Sequence, residues 1–281
     1  MISEQSREIL LIGGPSTGKT HYGAQLLGRL TSYQGEIQLR DFPNSIAPFQ
    51  EALHRLNQGL PASHTPQTTY HEVVLPVDIP GIGITNLVLP DYGGEQIKLM
   101  LEHRLVSPDW EQRITRASGW LIFVRLSGIR SFEDVFSRPP AILTARSEDR
   151  ASEGIWSSQA NVIELLQVLL FVKGVGTQSP ITHPRLSIVL TCWDELSEMH
   201  QILSPLQVLE QHMPLLADFI LTNWAQDHGR ILGLSSLGKA LRDGHADIEY
   251  LDKGPEHFGY IVLPNGERSP DLTLPVTLTI S

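Results

Sequence analysis

The sequence predicts an α/β fold of three layers, in which a mostly parallel β-sheet carries helices on both faces and a β extension follows at the C-terminal end. Three observations indicate this architecture. A glycine-rich turn joins the apolar run Ile9–Ile12 to a helical pattern. Further short apolar runs alternate with helical stripes along the chain. The chain has 281 residues and 41% apolar side chains, which is enough for one such domain with insertions.

Charge and cysteine content narrow the classes of function. A formal net charge of −10 argues against broad binding to nucleic acid or anionic lipid, since both need a basic face. Cys192 is the one cysteine, which excludes an internal disulfide framework and suits a reducing compartment. No apolar signal core follows Met1, and the longest apolar stretch, Val162–Val172, is too short to span a bilayer. We therefore expect a cytoplasmic protein without a membrane span.

The turn after Ile9–Ile12 has the pattern G-x-x-x-x-G-K-[ST], and its residues are Gly13-Gly14-Pro15-Ser16-Thr17-Gly18-Lys19-Thr20. Glycines let the backbone curve around a phosphate so that successive N–H groups point inward, and the helix behind the loop adds its positive N-terminal end. Lys19 is expected to reach the β- and γ-phosphates, and the Thr20 hydroxyl to bind Mg²⁺. The motif in this strand–loop–helix context predicts a P-loop NTPase fold.

Between the phosphate loop and residue 90, the chain is predicted to contain two helices and three strands. The helices are expected at Thr20–Leu30 and at about 45–58, and the strands at Glu36–Arg40, Tyr70–Val77 and Ile84–Leu89. Prolines and hydroxyl residues indicate a loop at 60–69, between the second helix and the second strand.

The last of these strands leads into Asp91, which is followed by Tyr92 and two glycines. After a phosphate loop, an aspartate at this point holds the Mg²⁺ water shell, so Asp91 is a candidate metal-binding residue. Gly94 would offer its backbone N–H to the γ-phosphate, and glycine allows the segment to move as that phosphate comes and goes. The alternative for Asp91 is a cap for the helix predicted at Glu95–His103.

The second half carries more than a minimal fold requires. Residues 127–160 contain a Pro-Pro pair and mixed charges, and are predicted to be a loop-rich insertion. Asn161–Val172 is apolar nearly all round, which predicts a helix buried against the sheet, with a partner-binding surface as the alternative. A helix at Leu206–Trp224 should be kinked or broken at Pro214.

The C-terminal segment is predicted to add strands to the domain. Phe258–Leu263 and Leu272–Ile280 have strand patterns on either side of a turn at Pro264-Asn265-Gly266. Such strands are expected to extend one edge of the sheet or to dock on a partner. The predicted domains are therefore a nucleotide-binding domain at 1–245 and a β extension at 246–281.

The ordered motifs resemble the Ras-like GTPases of the translation-factor-related (TRAFAC) class over roughly residues 7 to 242. Asp91-Tyr92-Gly93-Gly94 matches D-x-G-G, and Gly119–Arg125 looks like the central strand that follows the switch helix. Ile188–Asp194 resembles the strand with the guanine-reading [NT]-K-x-D motif, and Ile231–Leu237 the last core strand with its S-A-[KL] loop. Within that class, the helix before the 60–69 loop and Gly259–Gly266 look like the bacterial double-GTPase family of conflict-type gene clusters.

The resemblance implies a GTP/GDP site with Mg²⁺. Asp194 would accept hydrogen bonds from the guanine N1–H and exocyclic amine, whereas adenine offers no donors there and would leave the carboxylate unpaired. The Ser236 backbone N–H would meet the guanine O6, with Ser235 bracing the loop. Further residues are assigned to the nucleotide and metal positions: His21 and Thr191 to the nucleotide, and Thr68 to Mg²⁺, with Thr69 as the alternative.

Three departures from the family pattern bear on function. Cys192 replaces the motif lysine whose stem lies along the base. The preference for guanine over adenine is therefore left open. Glu95 occupies the place of the glutamine that orients the attacking water, so hydrolysis is slow or differs, and Gln96 is a possible substitute. No arginine lies between Arg55 and Thr68, so no arginine finger in cis is visible, and if turnover is fast a partner is expected to supply that positive charge. Lys19, Gly94, Glu95 and Gln96 form the predicted catalytic set.

The sequence therefore predicts a protein that binds GTP and hydrolyses it to GDP and phosphate as a conformational switch. The expected partner is a protein effector, an activating protein or a second GTPase-like protein. Two alternatives stay open. Glu95 and the missing arginine favour a nucleotide-bound interaction module with little or no turnover, and Cys192 favours an ATP-dependent P-loop enzyme.

Overall fold

The computed structural model describes residues 7–32, 35–41, 43, 46–62, 71–91, 95–127 and 157–281. Within these ranges the strands are β1 Arg7–Gly13, β2 Gln38–Leu39, β3 His71–Ile79, β4 Gly83–Asp91, β5 Gly119–Arg125, β6 Arg185–Thr191, β7 Gly229–Ser235, β8 Tyr260–Val262 and β9 Arg268–Ser269. The helices are α1 Lys19–Thr31, α2 Ala47–Asn57, α3 Glu95–His103, α4 Pro108–Arg116, α5 Ser158–Lys173, α6 Glu198–Gln201, α7 Pro205–His212, α8 Pro214–Asn223, α9 Ile248–Lys253 and α10 Leu274–Ile280.

All of these strands form one sheet in the order β2-β3-β4-β1-β5-β6-β7-β8-β9. The five central strands, from β4 through β1, β5 and β6 to β7, are parallel, while β2, β3, β8 and β9 pair antiparallel at the two sides. Parallel strands have their carboxyl ends at the same edge of a sheet. The last residues of the five central strands therefore share one edge, and they are Asp91, Gly13, Arg125, Thr191 and Ser235.

Helices cover both faces of the sheet because successive strand residues point to opposite sides. In β1, Leu10 and Ile12 contribute to the core under α3, α4, α5, α7 and α8. Ile9 and Leu11 contribute to the core under α1, α2, α9 and α10. The three-layer α/β prediction is confirmed.

Several predicted elements are confirmed in detail. The helix expected at about 45–58 is α2, and the helix expected to break at Pro214 is divided into α7 and α8 at that proline. The helix α5 packs on the sheet through Leu165, Leu166, Leu169 and Leu170, while Phe171 is 85% exposed. Most of the predicted insertion at 127–160 lies outside the described residues.

The prediction of a strand at Leu272–Ile280 is wrong, since residues 274–280 form the helix α10. Its buried positions Pro275, Val276, Thr279 and Ile280 recur at intervals of three to four residues, which is the spacing of one helix face. The segment is rich in threonine, valine and isoleucine, which favours a strand locally, but packing against the sheet overrides that preference. The β extension consists of β8 and β9, joined by a turn that contains Gly266. Of the helices in the described ranges, none is both long and apolar enough to cross a membrane.

Candidate functional site

The predicted phosphate loop joins β1 to α1 at the carboxyl edge of the sheet. Ser16 and Gly18 both have positive φ, +56° and +81°. Left-handed residues in a loop turn consecutive N–H groups toward a common centre, which is the geometry of an anion-binding nest. Gly18 is also the residue before the first turn of α1, so the positive end of that helix lies at the same place.

Gly13 is required where β1 enters the loop. A Cβ at this residue would lie 2.8 Å from Thr17 Oγ1 and 2.9 Å from Phe123 Cβ. Thr17 in turn donates its hydroxyl to the Gly14 carbonyl at 2.9 Å, which closes the loop on itself. A side chain at Gly13 would therefore displace either the loop or the neighbouring strand β5.

Lys19 is the cation of the loop. Its Nζ donates to the carbonyls of Gly13 at 2.6 Å and Gly14 at 2.7 Å. These two bonds hold the ammonium against the first residues of the loop, next to the nest. A positive charge, converging N–H groups and a helix N-terminus together favour a phosphate ligand.

The candidate Mg²⁺ ligands lie on either side of this loop. Thr20 is in the first turn of α1, and Asp91 is the last residue of β4. Leu10 pairs with Val88 in the parallel β1–β4 register, and Gly13 and Asp91 each lie three residues further along. Hydroxyl and carboxylate oxygens are the donors that Mg²⁺ prefers, so the residue types fit the metal.

The predicted base-reading loop follows β6. Cys192 has φ +55°, and a one-turn 3₁₀ helix at Trp193–Glu195 then presents Asp194. The Ser235 hydroxyl donates to Asp194 Oδ1 at 2.5 Å and accepts the Gly238 N–H at 2.9 Å. Ser235 thereby joins the carboxylate to the loop that begins at Ser236, so the ends of β6 and β7 form one unit.

The C-terminal hairpin supports this unit from the outer side. Ser235 of β7 pairs with Tyr260 of β8, and the Arg268 guanidinium lies 4.7 Å from the Tyr260 ring centroid. Arg268 donates to Gln201 Oε1 at 3.1 Å. Gln201 donates to the carbonyl of Asp194 at 3.4 Å, so the hairpin and α6 brace the backbone of the base-reading loop.

Arg125, the last residue of β5, connects the two loops. Its NH1 donates to the Ser16 carbonyl of the phosphate loop at 3.4 Å. Its NH2 donates to both Glu195 carboxylate oxygens at 2.7 and 2.8 Å, beside Asp194. The Glu195 hydrogen bond raises the pKa of Arg125, so the guanidinium is a permanent positive charge between the phosphate and base ends of the site.

His21 links the phosphate-loop helix to the segment that leads toward residues 63–70. Its Nε2 accepts the Ala62 N–H at 3.0 Å. Burial, followed by the nearby Arg125 charge, lowers the pKa of His21 to about 4. The imidazole is therefore neutral near pH 7, as an acceptor of this bond must be.

The structure brings most of the predicted site residues to this edge. Thr191 Oγ1 donates to the Val124 carbonyl at 3.4 Å, and a Cβ on Gly18 would lie 4.0 Å from the Thr191 Cβ, so the two motifs adjoin. Burial and the nearby Glu195 raise the pKa of the Cys192 thiol to about 11, which makes it a neutral packed side chain.

The structure describes only part of the two predicted switch segments. Thr68, Thr69 and Gly94 lie outside the described residues, and Glu95 is described only as the first residue of α3. Gln96 Oε1 accepts the indole N–H of Trp110 at 3.0 Å, which directs the amide toward α4. The roles of these residues stay predictions.

Sequence reasoning missed Arg125 as a site residue and did not assign a contact to His21. A charged residue at the end of the otherwise apolar run Gly119–Val124 is a signal that could have indicated Arg125. No local pattern indicates the His21–Ala62 bond, because it joins residues 41 positions apart.

Most of the chain matches a known protein family. A family model described as Double-GTPase 1 matches residues 10–278 of the chain. Among solved structures, the chain is similar to the Arl6 BBS3 small GTPase from Trypanosoma brucei with bound nucleotide analogue GppNp. That match has 12% sequence identity and a TM-score of 0.39, and it covers 89% of this chain and 97% of the other. No curated protein gives a significant match.

Proposed function

The chain belongs to the Double-GTPase 1 family, and we propose that it binds GTP with Mg²⁺, hydrolyses it to GDP and phosphate, and acts as a switch on a protein partner. One observation carries the proposal. The phosphate loop at the end of β1 and the carboxylate of Asp194, held by Ser235, lie at the same edge of the sheet. A nucleotide that spans strands β1 to β7 can meet both.

The phosphate loop would hold the β- and γ-phosphates. The N–H groups around Ser16 and Gly18 donate to phosphate oxygens, and Lys19 exchanges its carbonyl partners for them. Thr20, Asp91 and Thr68 would hold Mg²⁺, directly or through water, and the ion neutralises charge on the β- and γ-phosphates when bound. Closure of Thr68 and Gly94 on the γ-phosphate would then report its presence to the partner.

Asp194 would select guanine. The Ser235 hydroxyl fixes one carboxylate oxygen, and the carboxylate can then accept the N1–H and the exocyclic amine of guanine. The Ser236 N–H would donate to O6 from the loop that Ser235 and Gly238 brace. Adenine would leave the carboxylate without donors, which supports GTP over the ATP-dependent alternative.

Hydrolysis is proposed to be slow without a partner. Glu95 can accept a proton from water but has no side-chain N–H to stabilise the developing charge. Gln96 is the possible substitute, and its carbonyl oxygen is held by Trp110. A partner protein, including a second GTPase-like chain, would supply the missing positive charge.

Calorimetric titration of the nucleotide-stripped protein tests the proposal. With Mg²⁺ present, GDP and a non-hydrolysable GTP analogue should bind at least about a hundredfold tighter than ADP. The Asp194→Asn variant should lose affinity for GDP and gain affinity for xanthosine diphosphate. An asparagine amide can donate to the xanthine O2 while its oxygen still accepts N1–H.

The alternatives give different results in the same samples. Equal affinity of the wild type for ADP and GDP would reject the guanine assignment and favour the ATP-dependent enzyme. Tight guanine binding without phosphate release over hours, alone and with candidate partners, would favour the interaction module.

A further inference from the structure

We propose that Arg125 is a nucleoside-positioning residue whose guanidinium lies along the purine and ribose of the bound nucleotide. The inference rests on the proposed nucleotide function and adds a residue that the sequence motifs do not contain. Three independent features of the structure lead to it: the strand order, the contacts of Arg125 and the nature of the residue at position 192.

The strand order places Arg125 under the middle of the ligand. The phosphate loop follows β1, and the base-reading residues follow β6 and β7. The strand between them is β5, since the order is β1-β5-β6-β7. A nucleotide with its phosphates at Gly13–Thr20 and its base at Asp194 must therefore cross the end of β5, where Arg125 is the last residue.

The contacts of Arg125 fix its guanidinium between the two ends of the site. One side donates to the Ser16 carbonyl, and the other forms a bidentate pair with Glu195. Nε donates to Ser127 Oγ at 2.7 Å, and that hydroxyl donates to Glu195 Oε2 at 2.7 Å. The Arg125 side chain is nevertheless 36% exposed, so part of it remains accessible to a ligand.

The residue at position 192 cannot provide a cation beside the nucleoside. Cys192 is a neutral thiol on a left-handed residue, and it lies three positions before Glu195, whose carboxylate Arg125 binds. A guanidinium is planar, always charged and weakly hydrated, so it stacks on aromatic rings better than an ammonium does. Arg125 thus places a positive, stacking group from β5 where the β6 motif has none.

Titration of Arg125 variants with GDP and inosine diphosphate (IDP) tests the inference. Arg125→Ala should weaken binding of both nucleotides by the same factor of about ten or more, because stacking and charge do not depend on the exocyclic amine. Arg125→Lys should keep an intermediate affinity, since it retains the charge without the plane. Arg104→Ala is the matched control, because it removes one arginine charge at an exposed pair with Glu164 and should leave both affinities unchanged.

A purely structural role for Arg125 predicts a different pattern. If Arg125 only held Glu195, then Glu195→Gln would weaken GDP binding as much as Arg125→Ala, whereas direct contact predicts a loss of at most about threefold for Glu195→Gln. Equal GDP affinity of Arg125→Ala and wild type, at unchanged melting temperature of the nucleotide-free proteins, would overturn the inference alone. Failure of the wild type to bind guanine nucleotides would instead overturn the proposed function.

Discussion

The residues that end the five parallel strands differ from those inside them. Within β1, Ile9 to Ile12 are at most 2% exposed and fill the core on both faces of the sheet. At the carboxyl edge a side chain no longer has to fill the core, and the strands end in glycine, aspartate, arginine, threonine and serine. Each of these residue types can face a polar ligand, so the chemistry of the site depends on single residues at the edge.

His21 should make the stability of the protein depend on pH. Its pKa is about 4 in the folded chain, against about 6.5 when unfolded, so the unfolded state binds a proton that the folded state excludes. This contribution to stability is complete above pH 6.5 and is lost as the pH falls toward 4. Between pH 7.5 and pH 5 the free energy of unfolding should fall by about 2 kcal/mol through His21.

Denaturant unfolding of the wild type and of His21→Gln at both pH values measures this contribution. A glutamine oxygen can still accept the Ala62 N–H, but it does not titrate. The wild type should therefore lose about 2 kcal/mol more than His21→Gln over this pH range. Parallel pH curves for the two proteins would show that His21 is not held neutral in the folded state.

Motif residues could be predicted from sequence because the loop that contains them is continuous in the chain. Gly13 to Thr20 form the phosphate loop by local backbone geometry alone, and the pattern that describes them is equally local. The position of Arg125 between two loops depends instead on the order of the strands, which no short pattern contains. The switch residue Thr68 has neither a motif of fixed spacing nor a described position, and its role stays a prediction.

The hairpin β8–β9 packs closely against the base-reading loop. Gly259 precedes β8 with φ +91°, and a Cβ there would lie 2.6 Å from the Ser236 carbonyl oxygen. Gly266, in the turn of the same hairpin, has φ +88°, and its nearest neighbour would be 3.9 Å away. A side chain at either glycine would therefore have the energetic cost of a positive φ. Only a side chain at Gly259 would also clash with the loop.

Replacing each of these glycines with alanine should distinguish an effect on stability from an effect on GDP binding. Gly266→Ala is expected to cost about 1–2 kcal/mol of stability through its left-handed φ and to leave GDP affinity unchanged. Gly259→Ala should cost more and should also weaken GDP binding by about tenfold, because the Ser235–Ser236 backbone must shift. Denaturant unfolding and GDP titration of both variants measure the two effects. Unchanged GDP affinity of Gly259→Ala would mean that the hairpin does not position this loop.

Local patterns predict elements well where packing agrees with them. The helix α2 and the break at Pro214 follow from apolar spacing and from proline chemistry, and both are present. The segment Leu274–Ile280 is the counter-example, because its β-branched residues favour a strand while its buried face requires a helix. Only the contact with the sheet decides between them.

The last 36 residues of the chain, 246–281, are predicted from the sequence to form a separate β extension, and their buried side chains contribute to the core of the nucleotide-binding part. The phosphate-loop helix α1 depends on this segment for its buried polar groups. Tyr22 donates its hydroxyl to the Leu272 carbonyl at 3.0 Å, and Arg29 donates to the Phe258 carbonyl at 2.5 Å. Without these carbonyls the Tyr22 hydroxyl and the Arg29 NH2 group would lose these acceptors, which is costly for buried polar groups. We therefore propose that the two parts unfold together.

Val276→Ala tests this cooperativity, because Val276 is fully buried in α10 against the strands that end at the site. The Val276→Ala substitution should lower the free energy of unfolding by about 2 kcal/mol. Ile248→Ala is the control, because the Ile248 side chain is 73% exposed, and it should change this free energy by less than about 0.5 kcal/mol. Far-ultraviolet circular dichroism and GDP binding should report the same lowered transition in Val276→Ala. An independent extension would instead give two transitions, with the GDP-binding one unshifted, since a folding unit that shares no core with its neighbour cannot transmit the loss.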